Sequence, residues 1–334
     1  LACQLALVAV VGIAGIGCSS GQASSLAAAS CQVSTAGTTR CGASGESCCT
    51  SPAVPGGTYF RSYSNDGSGA TGLADPATIS GFRLDRYLIT VGRFRQFVAA
   101  SMAGWVPAAG SGKHRHLNAG QGLASVPGPG YEPGWDDKDD IQLATTVAEW
   151  SAKLNCEPTY QTWTDTPGTN ETLPMSCIDW YDAYAFCIWD GGFLPSEAEL
   201  EYAAAGGAEQ REYPWGNTEP GTGILYTISG CNYPASAGGK CTGVANVAPV
   251  GTAILGAGRW GQLDLAGTLS EWTLDWLAPY ETCTDCVFLT DFSYRVVRGG
   301  SFGTDTQNLL PPARDGDTPP SRNAFYGARC ARSP

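Results

Sequence analysis

The chain carries only two histidines, His114 and His116, with one residue between them. In extended backbone both side chains would face one way, as two ligands of a metal would. No third ligand stands near them, so a solvent-exposed pair is the expectation. Without histidine in the C-terminal half, no Ser-His-Asp arrangement can activate a nucleophile there. Cysteine is the abundant reactive side chain, with fourteen in 334 residues. Cys283-x-x-Cys286 is the one short pair, whereas a zinc ribbon needs two. Such a density without zinc spacing points to disulfides and an oxidising compartment. The carboxylates Asp315 and Asp317, beside Pro319-Pro320, read as turn residues rather than as an acid–base pair. The run Asp136-Asp137-Lys138-Asp139-Asp140 reads as a solvated loop in preference to a calcium loop.

The elements that must position these residues are short. Gly 44 and Pro 21 favour turns over long helices, and 43% hydrophobic residues suffice for a core. A formal net charge of -12 attracts no phosphate backbone, so no nucleic-acid partner is expected. Ala77 to Leu88 alternates as a strand does. Thr90 then reads as the N-cap of a helix to about Ala100, with Val91, Phe94, Phe97 and Val98 on one face. Asp179 to Asp190 reads as a second helix, stopped by Gly191-Gly192. Ser196 and Glu199 form a capping box for a third, which ends at Gly206-Gly207. The apolar run Leu5 to Ile16 fits an export signal, and Gly17-Cys18 resembles the end of a bacterial lipobox. The expected organisation is a signal peptide over 1–18 with lipidation at Cys18, a Ser/Ala/Gly/Cys-rich tether and cysteine cluster over 19–57, and a globular domain over 58–334. An insertion interrupts that domain at about 104–145. Cys31, Cys41, Cys48 and Cys49 allow three pairings among themselves, and the sequence does not choose.

Several stretches together resemble the formylglycine-generating enzymes, or sulfatase-modifying factors. They are Gly57-Thr58-Tyr59-Phe60 with Ile79 to Phe97, Pro174 to Gly207, Tyr213-Pro214-Trp215-Gly216-Asn217, Gly261 to Trp276, Arg298-Gly299-Gly300-Ser301-Phe302 and Tyr326-Gly327-Ala328-Arg329-Cys330. The resemblance implies an α+β, C-type-lectin-like formylglycine-generating-enzyme fold with little regular secondary structure, rich in disulfides. It pairs Cys187 with Cys330. Cys231 with Cys241 closes a short loop, and Cys156 with Cys177 and Cys283 with Cys286 complete the domain by elimination. It also implies a structural Ca2+ on Asp264 and Glu271 and on the carbonyls of Gly267 and Leu269.

The same resemblance exposes departures. The family's oxidase uses two cysteines after the Gly-Gly-Ser element, and Thr304 and Leu309 stand at those positions. A hydroxyl and an isobutyl group bind no copper(I) and exchange with no thiol. Ser270 replaces an aromatic residue of the site. An iron-binding branch uses histidines that this chain lacks, so neither copper nor iron is expected. The expectation is a non-catalytic binding or structural surface lipoprotein, outside the cytoplasm, with a protein or glycan ligand. It would lie in a bacterial outer membrane or periplasm if lipidated and be secreted otherwise, touching membrane only through a lipid anchor. The ligand cleft would involve Ser301, Thr304, Asp305 and Arg314. The alternatives are an enzyme with a different site in that cleft, to which Asp315 would belong, and a piece of a larger surface assembly held through the insertion.

Overall fold

The structure, a computed structural model, describes residues 28–334. The export signal and Cys18 lie outside the described residues. The helices are α1 (Val91–Met102), α2 (Val147–Leu154), α3 (Trp180–Trp189) and α4 (Glu197–Ala205). The strands are β1 (Ala53–Val54), β2 (Gly57–Ser64), β3 (Thr71–Ile79), β4 (Phe82–Leu84), β5 (Ala124–Val126), β6 (Ser270–Trp276), β7 (Cys283–Thr284), β8 (Cys286–Phe288), β9 (Arg295–Arg298), β10 (Arg314–Asp317), β11 (Tyr326–Gly327) and β12 (Ala331–Arg332). The fold is α+β with little regular secondary structure. Among the described residues no helix is long and apolar enough to cross a membrane.

Local chemistry explains the helix ends. The Thr90 hydroxyl accepts from the Arg93 amide, and the Asp179 carboxylate accepts from the Asp182 amide. Ser196 and Glu199 bond each other's backbone reciprocally at the start of α4. Gly206 ends that helix in the left-handed region, φ 68°. The stretch from Ala77 to Leu88 is two strands and a turn, not one strand. The Asp285 carboxylate accepts from the Ser80 amide and hydroxyl, at 2.6 and 2.7 Å, and draws the chain into a turn there.

The sheets are small, in the orders β1-β4-β12, β2-β3-β7, β5-β8 and β10-β9-β6-β11. The largest apolar cluster sits between α1, α3 and the β6–β9 pair, with Phe94, Phe97, Trp150, Phe186 and Trp272 in it. Disulfides join what the sheets leave separate. Cys187 of α3 bonds Cys330, across 143 residues of sequence. Cys156 bonds Cys177, Cys231 bonds Cys241, and Cys283 bonds Cys286. The N-terminal pairings are Cys31–Cys49 and Cys41–Cys48. Six disulfides among the described residues suit an oxidising environment outside the cytoplasm.

Those N-terminal residues pack on the domain. Ser30 donates its amide to Asp190 at 2.7 Å and receives Arg93 Nε at 3.0 Å. The Thr90 hydroxyl donates to the Gly37 carbonyl. Below them lies a buried charge network. Arg93 reaches Asp85 at 2.9 Å and Asp190 at 2.6 Å, and Arg332 reaches the same two carboxylates at 2.9 and 2.6 Å.

The insertion is pinned by its histidine, which corrects the expectation of an exposed pair. His114 is fully buried. Its Nδ1 lies 3.0 Å from Glu132 and its Nε2 3.0 Å from Glu199 of α4. His116 is half-buried and stacks on Phe193. The sequence hides this because the partners lie 18 and 85 residues away. The Asp136–Lys138 part of the acidic run is exposed, as a solvated loop is.

Burial alone would push the His114 imidazole down, but the facing Glu199 and Glu132 carboxylates override it and hold it up to about 10. The ordinary value in an unfolded chain is about 6.5. The clamp therefore contributes fully below about pH 6.5 on the histidine side and is lost as pH rises through about 10. His114→Gln leaves two buried carboxylates without their cation, at a cost of about 3–5 kcal/mol. Urea unfolding should show a lower midpoint for the variant at pH 7. The gap from wild type should narrow by pH 10.5, and a gap independent of pH would refute the ionic account.

Candidate functional site

The loop after β9 builds the site. Arg298-Gly299-Gly300-Ser301 leaves the sheet through two residues of positive φ, 88° at Gly299 and 68° at Gly300. A Cβ at Gly300 would meet the Thr304 hydroxyl at 2.8 Å and the Asn308 carbonyl at 3.0 Å, so only glycine permits this return. A cleft of about 340 Å3 opens beside the loop, and Ser270, Asn323, Phe325 and Tyr326 line it with Ser301 and Thr304. The parallel pairing of Tyr326 with Ser270 and of Gly327 with Glu271 brings the two motifs to one place.

Of the expected cleft residues, Ser301, Thr304 and Arg314 line this cavity together. Asp305 does not; it lines an adjoining cavity that shares Thr304. Arg314 is present but committed. Its Nε and Nη2 bond both oxygens of Glu197 at 2.8 and 2.6 Å, and its Nη1 bonds the Ala278 carbonyl at 2.7 Å. Arg298 is spent likewise on Glu197, Glu201, Tyr280 and the carbonyls of Pro311 and Ala313. Asp315 lines the cleft and is exposed, with one oxygen accepting from the Gly316 amide. Asp317 accepts from the Thr318 amide and the Ser321 hydroxyl, which is a turn role.

The two positions where the resemblance places thiols are occupied in two different ways. Thr304 Oγ1 accepts from the Ser301 amide at 2.9 Å and donates to the Ser301 carbonyl at 3.0 Å, closing the turn. Leu309 is buried against Tyr213 and Ala266 and lies outside the cleft. All twelve described cysteines are in disulfides, so the described residues offer no thiolate to copper. Among the described residues no group of three or more His, Cys, Asp and Glu side chains is placed to hold a metal. The residues that line the cleft include no histidine to activate Ser301 or Thr304. Asn308, Asn323, Phe325 and Tyr326 escaped sequence reading, although Tyr326 begins a motif that resembles the family's last element.

The turn before β6 has a different character. Asp264 is buried at φ 59°, and its Oδ2 accepts from the Gly251 amide at 2.7 Å. Burial pushes its carboxyl up to about 6, against the Gly251 bond. Glu271 receives Arg329 on both oxygens, at 2.6 and 2.9 Å. Burial raises the Glu271 carboxyl, and Asp264 adds to that. Gly267 bends the backbone at φ 82°, where a Cβ would meet the Thr227 hydroxyl at 2.2 Å. Among the described residues no hydrogen bond reaches the carbonyls of Gly267 or Leu269, both buried. Two carboxylates and two unsatisfied carbonyls are hard oxygen donors of the kind calcium takes. A bidentate guanidinium uses about two of a carboxylate's four acceptor directions, so Arg329 does not exhaust the acceptor capacity of Glu271.

Comparison with known proteins agrees with this architecture. A model of the sulfatase-modifying factor enzyme 1-like domain matches residues 43–334. A formylglycine-generating enzyme of Thermomonospora curvata is 30% identical over 305 residues, which cover 84% of this chain and 93% of that protein. A mouse protein named inactive C-alpha-formylglycine-generating enzyme 2 is 33% identical over 168 residues, 48% of this chain and 49% of its own length. The solved structure of PvdO from Pseudomonas aeruginosa shares the fold, with a TM-score of 0.51 and 20% identity over 84% of this chain and 93% of that one. The order of the motifs, the glycine-built cleft and the match over residues 43–334 establish that the chain belongs to the sulfatase-modifying factor family.

Proposed function

We propose that this chain is a non-oxidising member of its family, exported, anchored by lipid at Cys18, and acting by binding at the cleft beside Ser301. The observation that carries this reading is the fate of the two thiol positions. Thr304 is locked into a turn and Leu309 is buried away from the cleft. Oxidation of a substrate cysteine needs soft ligands for a metal, and hydroxyl and alkyl groups are not that. The rest of the cleft is stiffened rather than poised for chemistry, since both guanidinium groups are held by buried glutamates. A relative whose name marks it as inactive supports such a role.

The reading includes a structural calcium held by Asp264, Glu271 and the carbonyls of Gly267 and Leu269. The ion would neutralise buried carboxylates and satisfy backbone oxygens, and it would tie the turn before β6 without touching a ligand.

Two measurements test these statements. The purified chain, incubated with copper and a sulfatase-type cysteine peptide, should form no peptide aldehyde by mass spectrometry. Copper-dependent aldehyde would refute the reading. The double variant T304C/L309C should stay inactive, because position 309 faces Tyr213 and Ala266. For calcium, melting curves at pH 7.5 should rise with the ion and fall with a chelator, by mass action. Glu271→Gln should remove most of the difference. The gain should shrink as pH falls, because protons compete with the ion for Asp264, whose carboxyl burial already raises. Superimposable curves for wild type would show that no ion binds.

A further inference from the structure

A second cavity adjoins the cleft across Thr304, and the two together are termed the trough. The second cavity measures about 410 Å3 and is walled by the loop that the Cys231–Cys241 disulfide closes. Apart from Ala235, the side chains around that second cavity are polar; the rest of its wall is glycine backbone. Peptide recognition leans on a few apolar or aromatic anchors seated in pockets, and this half offers none. Thr222, Ser229 and Thr306 bring hydroxyl groups instead.

Charge narrows the ligand further. An anion would need a free cation, yet Arg298 and Arg314 give their donors to Glu197, Glu201, Tyr280 and main-chain carbonyls. What remains unspent is amide and carboxylate. Asn323 uses its oxygen on the Phe325 amide and keeps its NH2 group. Asn308 donates to Asp305 and keeps its oxygen, and Asp315 keeps one oxygen beyond its bond to Gly316. Beside them Phe325 is held flat, its ring stacked on Phe302 at 4.8 Å between centroids and braced by Tyr160 at 5.7 Å. A fixed aromatic face next to planar amides and carboxylates suits a ring that shows C–H groups on one side and hydroxyls at its edge.

We propose that the trough binds a neutral oligosaccharide, one pyranose ring on Phe325 and the chain continuing past Thr304 into the second cavity. This rests on the binding reading above and supplies its ligand. The folded chain is titrated by calorimetry with chitotetraose, cellotetraose, maltotetraose and mannotetraose, and with a heparin tetrasaccharide as the anionic probe. At least one neutral sugar should bind and the heparin fragment should not. Phe325→Ala and Asp315→Ala should each weaken binding about tenfold, as loss of a central contact does. Ile141→Ser, at an exposed position outside the trough, should leave it unchanged. Asp315 is exposed, so its variant carries the test if Phe325→Ala fails to fold. Absence of binding to all four neutral sugars, tighter binding of heparin, or binding that survives Asp315→Ala would overturn the proposal. Copper-dependent aldehyde formation would instead refute the non-oxidising reading, so the two failures are distinguishable.

Discussion

Two aspartates and two arginines, buried together, hold this fold. Asp85, Asp190, Arg93 and Arg332 come from the end of β4, the end of α3, the first turn of α1 and the last strand. Removing such charges from water costs several kcal/mol per ion, and only mutual pairing with further hydrogen bonds offsets that. Here the further bonds come from Ser30 and from the Cys48 carbonyl, which accepts Arg93 Nη1. The network is thus completed by the N-terminal cysteine segment. Loss of one member would strand the other charges, which makes the whole arrangement cooperative.

Local signals were the most legible part of the sequence. Thr90, Asp179, Ser196 and Gly206 each end or begin a helix where their side chains or conformations require it. Such signals act over three or four residues, so one sequence suffices to read them. The partners of His114, Arg314 and Ser30 lie 85, 117 and 160 residues away, and no local pattern encodes them. The same reason explains Arg314 in the cleft. Its charge could be read from the sequence, but not that Glu197 had already taken it. Thr304 and Leu309 were legible as thiol positions through the family motif after Gly299-Gly300-Ser301, not from the local pattern of the chain.

The cleft and its support divide the work cleanly. Buried glutamates behind the sheet fix the arginines, and the arginines fix the carbonyls of Ala278, Pro311 and Ala313. The loop from Gly299 to Thr304 then sits on a frame with little freedom. Rigid frames with exposed loops serve recognition well, because little order must be bought at binding.

The last strand has a consequence for how the molecule is made. Cys330 bonds α3, Arg329 bonds Glu271, and Arg332 completes the buried network. A chain emerging from a ribosome lacks all three until residues 329–332 appear. Until then Glu271 lacks its arginine, and Asp85 and Asp190 share Arg93 alone. The 143-residue span from Cys187 to Cys330 can therefore be sealed only after synthesis has passed residue 330, which makes this disulfide a late event in the maturation of the domain.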